Sequence, residues 1–180
     1  MSVFTNTAAR SVEASRAYVA ALMELLGDRD PLGVLRETEP ALRERVADIT
    51  NANTGRPEAP GKWSIRQVIQ HLADSDLVWG WRVRLVLAQD RPPITGYDQD
   101  RWAERLRYQD ARVTDALDEF GALRRSNLRL IERATPEDLA RVGLHAERGE
   151  ESIAHMIKLY AGHDLLHLRQ IDRIRTALGF

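Results

Sequence analysis

Apolar residues recur at steps of three and four along four long stretches of this chain, a spacing that admits helices and little else. The best marked stretch opens at Ser64, three residues before Gln67, the pairing of a capping box. From there Ile65, Val68, Leu72, Trp79, Val83 and Val86 keep helical intervals until Arg91-Pro92-Pro93 ends the run. An earlier helix is expected from about Asn6 to Leu26, with Val12, Tyr18, Val19, Leu22, Leu25 and Leu26 on its apolar side and Gly27 as its stop. Another spans roughly Ala111 to Arg133, with Val113, Leu117, Phe120, Leu123, Leu128 and Ile131 inward. The last runs from about Ser152 to Leu178 and stops at Gly179, where a left-handed residue is expected. Two short helices are added: one from Pro40, a residue favoured at the first helical position, to about Ile49, and one at Thr135-Pro136-Glu137-Asp138. Asn51 to Lys62 reads as a loop, Pro92 to Tyr108 as a linker with one turn around Trp102, and the segment through Gly143 and Gly149 as a polar loop. With no strand-like alternation and no repeat, the expectation is an all-α four-helix bundle.

A chain of 180 residues is expected to form one domain, 1–180, long enough to bury a real core. It carries 26 basic and 27 acidic residues, a formal net charge of −1, and no segment supplies the basic face that phosphate neutralisation needs, so nucleic-acid binding is not expected. All the basic residues but Lys62 and Lys158 are Arg, and they alternate with Asp and Glu, which reads mainly as solvated, ion-paired helix faces. The chain contains no cysteine. Disulfides, thiolate metal sites and a cysteine nucleophile are thereby excluded, and any metal must be held by imidazole and carboxylate. Met1 to Arg10 lacks the apolar stretch of a signal peptide, and no run approaches the roughly 18 apolar residues of a membrane span. A cytoplasmic protein is expected.

Three histidines stand out against this frame. His163 and His167 lie one helical turn apart on the last helix, where His167 takes a place in the inward stripe Ile153, Ile157, Tyr160, Ile171, Ile174, Leu178. His71 neighbours Val68, Leu72, Ser75 and Val78 on the core-facing half of its own helix. Two imidazoles four residues apart can grip one ion, and a third from a facing helix completes a three-ligand site with room for water or substrate, the pattern of catalytic zinc. A lone inward histidine is more often a satisfied core residue. A buried trio without a metal, however, would leave several ring nitrogens in need of partners. His155 lies eight residues before His163, a rise of about 12 Å, too far to share the ion. His145 falls in the polar loop and is expected to be exposed.

The run Pro60-Gly61-Lys62-Trp63-Ser64-Ile65-Arg66-Gln67-Val68-Ile69-Gln70-His71-Leu72-Ala73-Asp74 resembles the DinB/YfiT-like superfamily of metal-binding four-helix proteins. So do Arg82 and Arg84 beyond it, the segment Gly96-Tyr97-Asp98-Gln99-Asp100-Arg101-Trp102, and Tyr160-Ala161-Gly162-His163 followed by His167 and Ile171. The resemblance implies an up-down-down-up bundle in which His71, His163 and His167 bind one divalent ion. It also implies a homodimer, and activities that range from thiol-dependent S-transferases and isomerases to metal-dependent hydrolases.

Three readings of function follow. In the first, the ion lowers the pKa of a low-molecular-weight thiol, which is then transferred to an electrophilic small molecule. In the second, a hydrolase uses metal-bound hydroxide at the same site. The third is a non-catalytic helical module with a structural or sensory metal. Imidazole ligands suit zinc and nickel, and also iron and copper. Supporting roles fall to Asp74, one turn after His71, which could orient a ligand or take a proton, and to Arg82, which could hold an anionic substrate group. Each has a plainer reading: Asp74 as a surface or ion-paired carboxylate, Arg82 as the partner of an Asp such as Asp164. Trp63, Trp79, Trp81 and Trp102 could line the pocket, although aromatics at helical spacing more often belong to the core.

Overall fold

The computed structural model describes residues 12–180. The expected helix start at Asn6, the side chain of Val12 and the reading of Met1–Arg10 lie outside the described residues. Seven helices and a small sheet are formed: α1 Val12–Leu26, α2 Pro31–Val46, α3 Ile65–Ala88, β1 Pro93–Ile94, α4 Gln99–Arg105, α5 Val113–Ile131, α6 Pro136–Ala140, β2 Val142–His145, β3 Gly149–Ser152 and α7 Ile153–Leu178. The capping box at Ser64 is present in full, Thr135 and Asp138 form a second at the start of α6, and Gly179 ends α7 at a φ of 74°.

Side-chain pairings fix the helix directions. Gln70 meets Glu119, Asp76 meets Arg124 and Arg84 meets Asn127, so α3 and α5 run parallel. Thr38 meets Asp164 and Arg45 meets Asp172, so α2 and α7 are parallel as well. Arg36 with Glu132 and Arg43 with Asp118 set α2 against α5, while His71 with His163 and Arg82 with Tyr160 set α3 against α7. The order is therefore up-down-down-up for α2, α3, α5 and α7. The chain must travel the bundle's height between α3 and α5, and β1 and α4 lie on that crossing.

Two expectations are corrected. The helix anticipated from Pro40 begins at Pro31, is capped by Asp30, and is the bundle's first member, while α1 packs against α7. Pro40 sits inside α2, where it lacks the N–H that would reach back to Arg36; both residues are exposed, so the freed carbonyl can meet water. The polar loop holds a hairpin: β2 pairs antiparallel with β3, and β1 adds in parallel with Pro93 opposite Leu144 and Ile94 opposite His145.

The apolar core falls into two halves. One gathers Leu35, Trp79, Val83, Leu128, Ile153 and Ile157; the other gathers Leu42, Val68, Leu72, Leu117, Phe120 and Ile171. Between them, at mid-height on all four bundle helices, lie buried polar residues: Thr38, His71, Ser75, Asp76, Arg124, Asn127, Asp164 and His167. Among the described residues no helix is long and apolar enough to cross a membrane.

Candidate metal centre

The polar layer has two parts, and the first is ionic. Arg124 is 2% exposed, contrary to the solvated role expected of the arginines, and gives Nε to Asp76 at 2.8 Å and Nη1 to Asp164 at 2.6 Å. Thr38 donates to the same Asp164 oxygen at 2.8 Å, and Asn127 donates to Asp76 Oδ1 at 2.9 Å. Burial pushes Asp76 up to about 6, partly offset by Arg124. Burial also acts to raise Asp164, but Arg124 outweighs it and holds that carboxyl below the usual range. The expected pairing of Arg82 with Asp164 is not made, because Arg124 from α5 already occupies that carboxylate.

The second part is the histidine cluster. His71 on α3 and His163 and His167 on α7 bring ligand atoms within 4.8 Å of one another. His163 Nε2 lies 3.2 Å from His71 Nε2 and 3.1 Å from His167 Nε2. Burial, reinforced by the neighbouring rings, holds His71 well below its ordinary value and pushes His167 down to about 3. The outer nitrogen of His167, Nδ1, lies 2.8 Å from Gln170 Oε1, an acceptor, so Nδ1 carries the proton and the Nε2 lone pair faces the cluster. Among the described residues His71 Nδ1 and His163 Nδ1 have no hydrogen-bond partner, and Asp164 Oδ1, at 4.0 Å from the latter, is too far for a bond.

These residues fit a divalent cation. Converging imidazole nitrogens cannot all be satisfied by protons shared among themselves, whereas a cation attracts every lone pair. Two nitrogens each about 2.0–2.1 Å from one ion at a tetrahedral angle would be roughly 3.3 Å apart, close to the two separations observed. The nitrogen set also matches the chain's lack of thiolates.

A cavity of about 120 Å³ opens on His71 and His163. Tyr18, Val19 and Leu22 of α1, Ser75 and Arg82 of α3, Tyr97 of the crossing, His145 of β2 and Tyr160 of α7 complete most of its wall. Ser75 Oγ lies 3.4 Å from His71 Nε2 and 3.0 Å from the Tyr97 hydroxyl. Burial raises the Tyr97 hydroxyl far above neutrality, so it stays protonated.

Of the two supporting candidates, Arg82 lines this cavity and Asp74 does not. Asp74 accepts a hydrogen bond from Tyr108 and borders a separate recess with Gln70 and Arg107. The tryptophans also stay out of the cavity lining: Trp63 packs on His71 at 5.1 Å, Trp79 stacks on Tyr160 at 4.9 Å, Trp102 backs Tyr97 at 4.5 Å and Trp81 is exposed. His145 was expected in solvent and is buried in the cavity wall instead. Ser75, Tyr97, Tyr160 and Gln170 have no site role in the sequence reading. Ser75 and Gln170 carried a usable signal, standing four residues after His71 and three after His167.

Fold and site together define a helical-bundle protein built around a three-imidazole centre of metal-ligand type. The chain belongs to the DinB superfamily, whose family model matches residues 35–171. An Oceanobacillus iheyensis protein named "Putative metal-dependent hydrolase" is 34% identical over 133 residues, covering 74% of this chain and 77% of its own. A Bacillus mycoides protein with the same kind of name is 30% identical over 139 residues, covering 77% of this chain and 80% of its own. Among solved structures, YfiT from Bacillus subtilis, described as a probable metal-dependent hydrolase with an unusual four-helix bundle topology, superposes with a TM-score of 0.78. It is 26% identical, over 83% of this chain and 86% of that one. A mycothiol-dependent maleylpyruvate isomerase shares the fold at a TM-score of 0.58 and 13% identity, over 87% of this chain and 62% of that one.

Proposed function

We propose that the protein is a metal-dependent hydrolase of small molecules in which His71, His163 and His167 hold one divalent ion, zinc or nickel. The observation that carries this reading is the meeting of three imidazoles, His71 and His167 buried and His163 half-buried, with Nε2 separations of 3.1 and 3.2 Å, where His71 and His163 line a cavity. When bound, the ion would supply a Lewis acid that polarises a carbonyl and lowers the pKa of water reaching it.

The remaining tasks belong to the chain. His167 is held by Gln170 with its lone pair inward. Ser75 borders the place a reacting atom must take, and Tyr97 stands behind it as a protonated donor that can pass a hydrogen bond through the Ser75 hydroxyl to a substrate oxygen. Val19, Leu22 and Leu159 supply the apolar part of the cavity wall. The names of the curated relatives agree with hydrolysis. Transfer of a low-molecular-weight thiol to an electrophile would use the same centre and ranks second, because the likeness to the mycothiol-dependent enzyme concerns the fold alone.

The test is elemental analysis of tag-free protein together with a panel of small carboxylic esters and amides. About one divalent ion per chain is expected, with cleavage of at least one substrate, and His167→Ala should lose both metal and turnover while keeping its helical circular dichroism. Thiol conjugation without ester or amide cleavage would replace hydrolysis by transfer. Metal without any turnover would leave the non-catalytic module.

A further inference from the structure

The structure assigns an anion subsite to Arg82 and His145 in the wall of this cavity, and we infer that the substrate carries a carboxylate bound there. The inference rests on the cavity being the reaction site and adds the class of molecule that enters it.

Arg82 is 7% exposed, and among the described residues no carboxylate lies within ion-pairing distance of it. The other buried or partly buried arginines nearby are neutralised: Arg124 by Asp76 and Asp164, and Arg148, also in the cavity wall, by a two-point contact with Glu151. Arg82 is held instead by neutral groups. Nη2 donates to Thr95 O at 2.7 Å, Nη1 reaches the Tyr160 hydroxyl at 3.4 Å, and Nε is buried with no partner among the described residues. A buried guanidinium without a counter-ion is costly unless an anion completes it.

His145 meets the same corner. It pairs with Ile94 across β1 and β2, one residue before the Thr95 carbonyl that anchors Arg82. Its Nδ1 accepts the Glu147 N–H at 3.2 Å, so the proton sits on Nε2, which is likewise buried and without a partner among the described residues. Burial and Arg148 push the ring down to about 4, which keeps it a neutral donor. Glu147 also lines the cavity, partly exposed beside Gly96, and makes no ion pair with Arg82. One guanidinium edge and one imidazole N–H thus offer donors for the two oxygens of a carboxylate. A phosphate in this enclosed corner would bring a third oxygen and more charge than these groups match.

The distance to the chemistry is set by Tyr160. Its ring centroid is 6.0 Å from that of His163, and its hydroxyl reaches Arg82. The carboxylate would lie about one phenol ring from the histidines, which selects an acid whose cleaved bond is several atoms from its charge.

Binding can be read without turnover. Benzoate, benzamide and phenyl phosphate are titrated into nitrogen-15-labelled wild type and into the metal-free His167→Ala variant, following the Arg82 Nε–H and His145 Nε2–H resonances. Benzoate should shift both saturably in each protein and benzamide should not. Arg82→Gln should weaken benzoate by about tenfold or more, as expected for a hydrogen bond to a charged group, while Arg82→Lys recovers part of it. The wild-type resonances decide the matter even if Arg82→Gln does not fold. Absence of shifts, benzoate binding that vanishes with His167 but survives at Arg82→Gln, or tighter binding of phenyl phosphate each overturns the assignment. Cleavage of neutral esters with no benzoate response rejects the subsite alone; benzoate binding with no hydrolysis rejects the hydrolase reading alone.

Discussion

At the scale of single residues, the three histidines are not held alike. Among the described residues, of the three only His167 has its outer nitrogen bonded to a side chain, so Gln170 fixes one tautomer and one ring orientation. Gln170→Leu should therefore lower metal affinity by about 10–100-fold, as removal of such supporting partners generally does. Competition with a chromophoric chelator measures this, and an unchanged affinity would mean that packing alone orients the ring. His71, His163 and His167 were legible in the sequence because helical periodicity states which face a residue occupies. Arg82 was only half legible: its face was readable, but its partner was not, since which of Arg82 and Arg124 reaches Asp164 depends on how α5 packs between neighbours. His145 was misread because β2 and β3 have four residues each, too short for alternation to stand out among Gly143, Glu147 and Arg148. The usable signal there was Gly149, whose φ of 80° is the left-handed turn that closes a short hairpin loop.

At the scale of elements, the seat of α1 on α7 depends on Gly162. A Cβ there would lie 2.4 Å from Leu22 O, a backbone atom that can yield only if α1 moves. Gly162→Ala is expected to cost roughly 1–3 kcal/mol, the usual range for overpacking, read as a lower urea midpoint. An unchanged midpoint would show that α1 shifts freely. The hairpin has its own signature in pH. Burial acts to raise Glu151, but its contacts with Arg148 outweigh this and hold it below its ordinary 4.5. An acid depressed on folding stabilises the fold above its unfolded value and loses that contribution as pH falls through the lower folded value. Wild-type stability should accordingly decline as pH drops below about 4.5, with a shallower decline in Glu151→Gln. Equal slopes by thermal melts at stepped pH would rule out the pair as a contributor. The long helices α3 and α7 are legible almost to their ends because Ser64, Ser152 and Gly179 cap them locally, whereas α5, whose N-terminus has no side-chain cap, is legible from its apolar periodicity alone. α2 was not, because Pro40 imitates a helix start while Asp30 and Pro31 supply the real one.

At the scale of the whole molecule, a polar layer divides the apolar core, and Arg124 is its tie. Arg124→Met would strand Asp76 and Asp164 in the interior with a single guanidinium removed, an expected loss of roughly 3–5 kcal/mol by urea denaturation. A loss under about 1 kcal/mol would show that water already reaches the layer. No sequence pattern announces this tie, since the three residues come from different helices and meet only after the bundle closes. The parallel run of α3 and α5 has a further consequence. The connecting strand-and-helix strap passes along the cavity's flank and contributes Gly96, Tyr97 and Gln99 to it, while every imidazole of the cluster stays on the two rods α3 and α7. Tyr97 and the Thr95 carbonyl that anchors Arg82 come from this strap, so exchanging the strap is expected to reshape the cavity while the three imidazoles keep their places on α3 and α7.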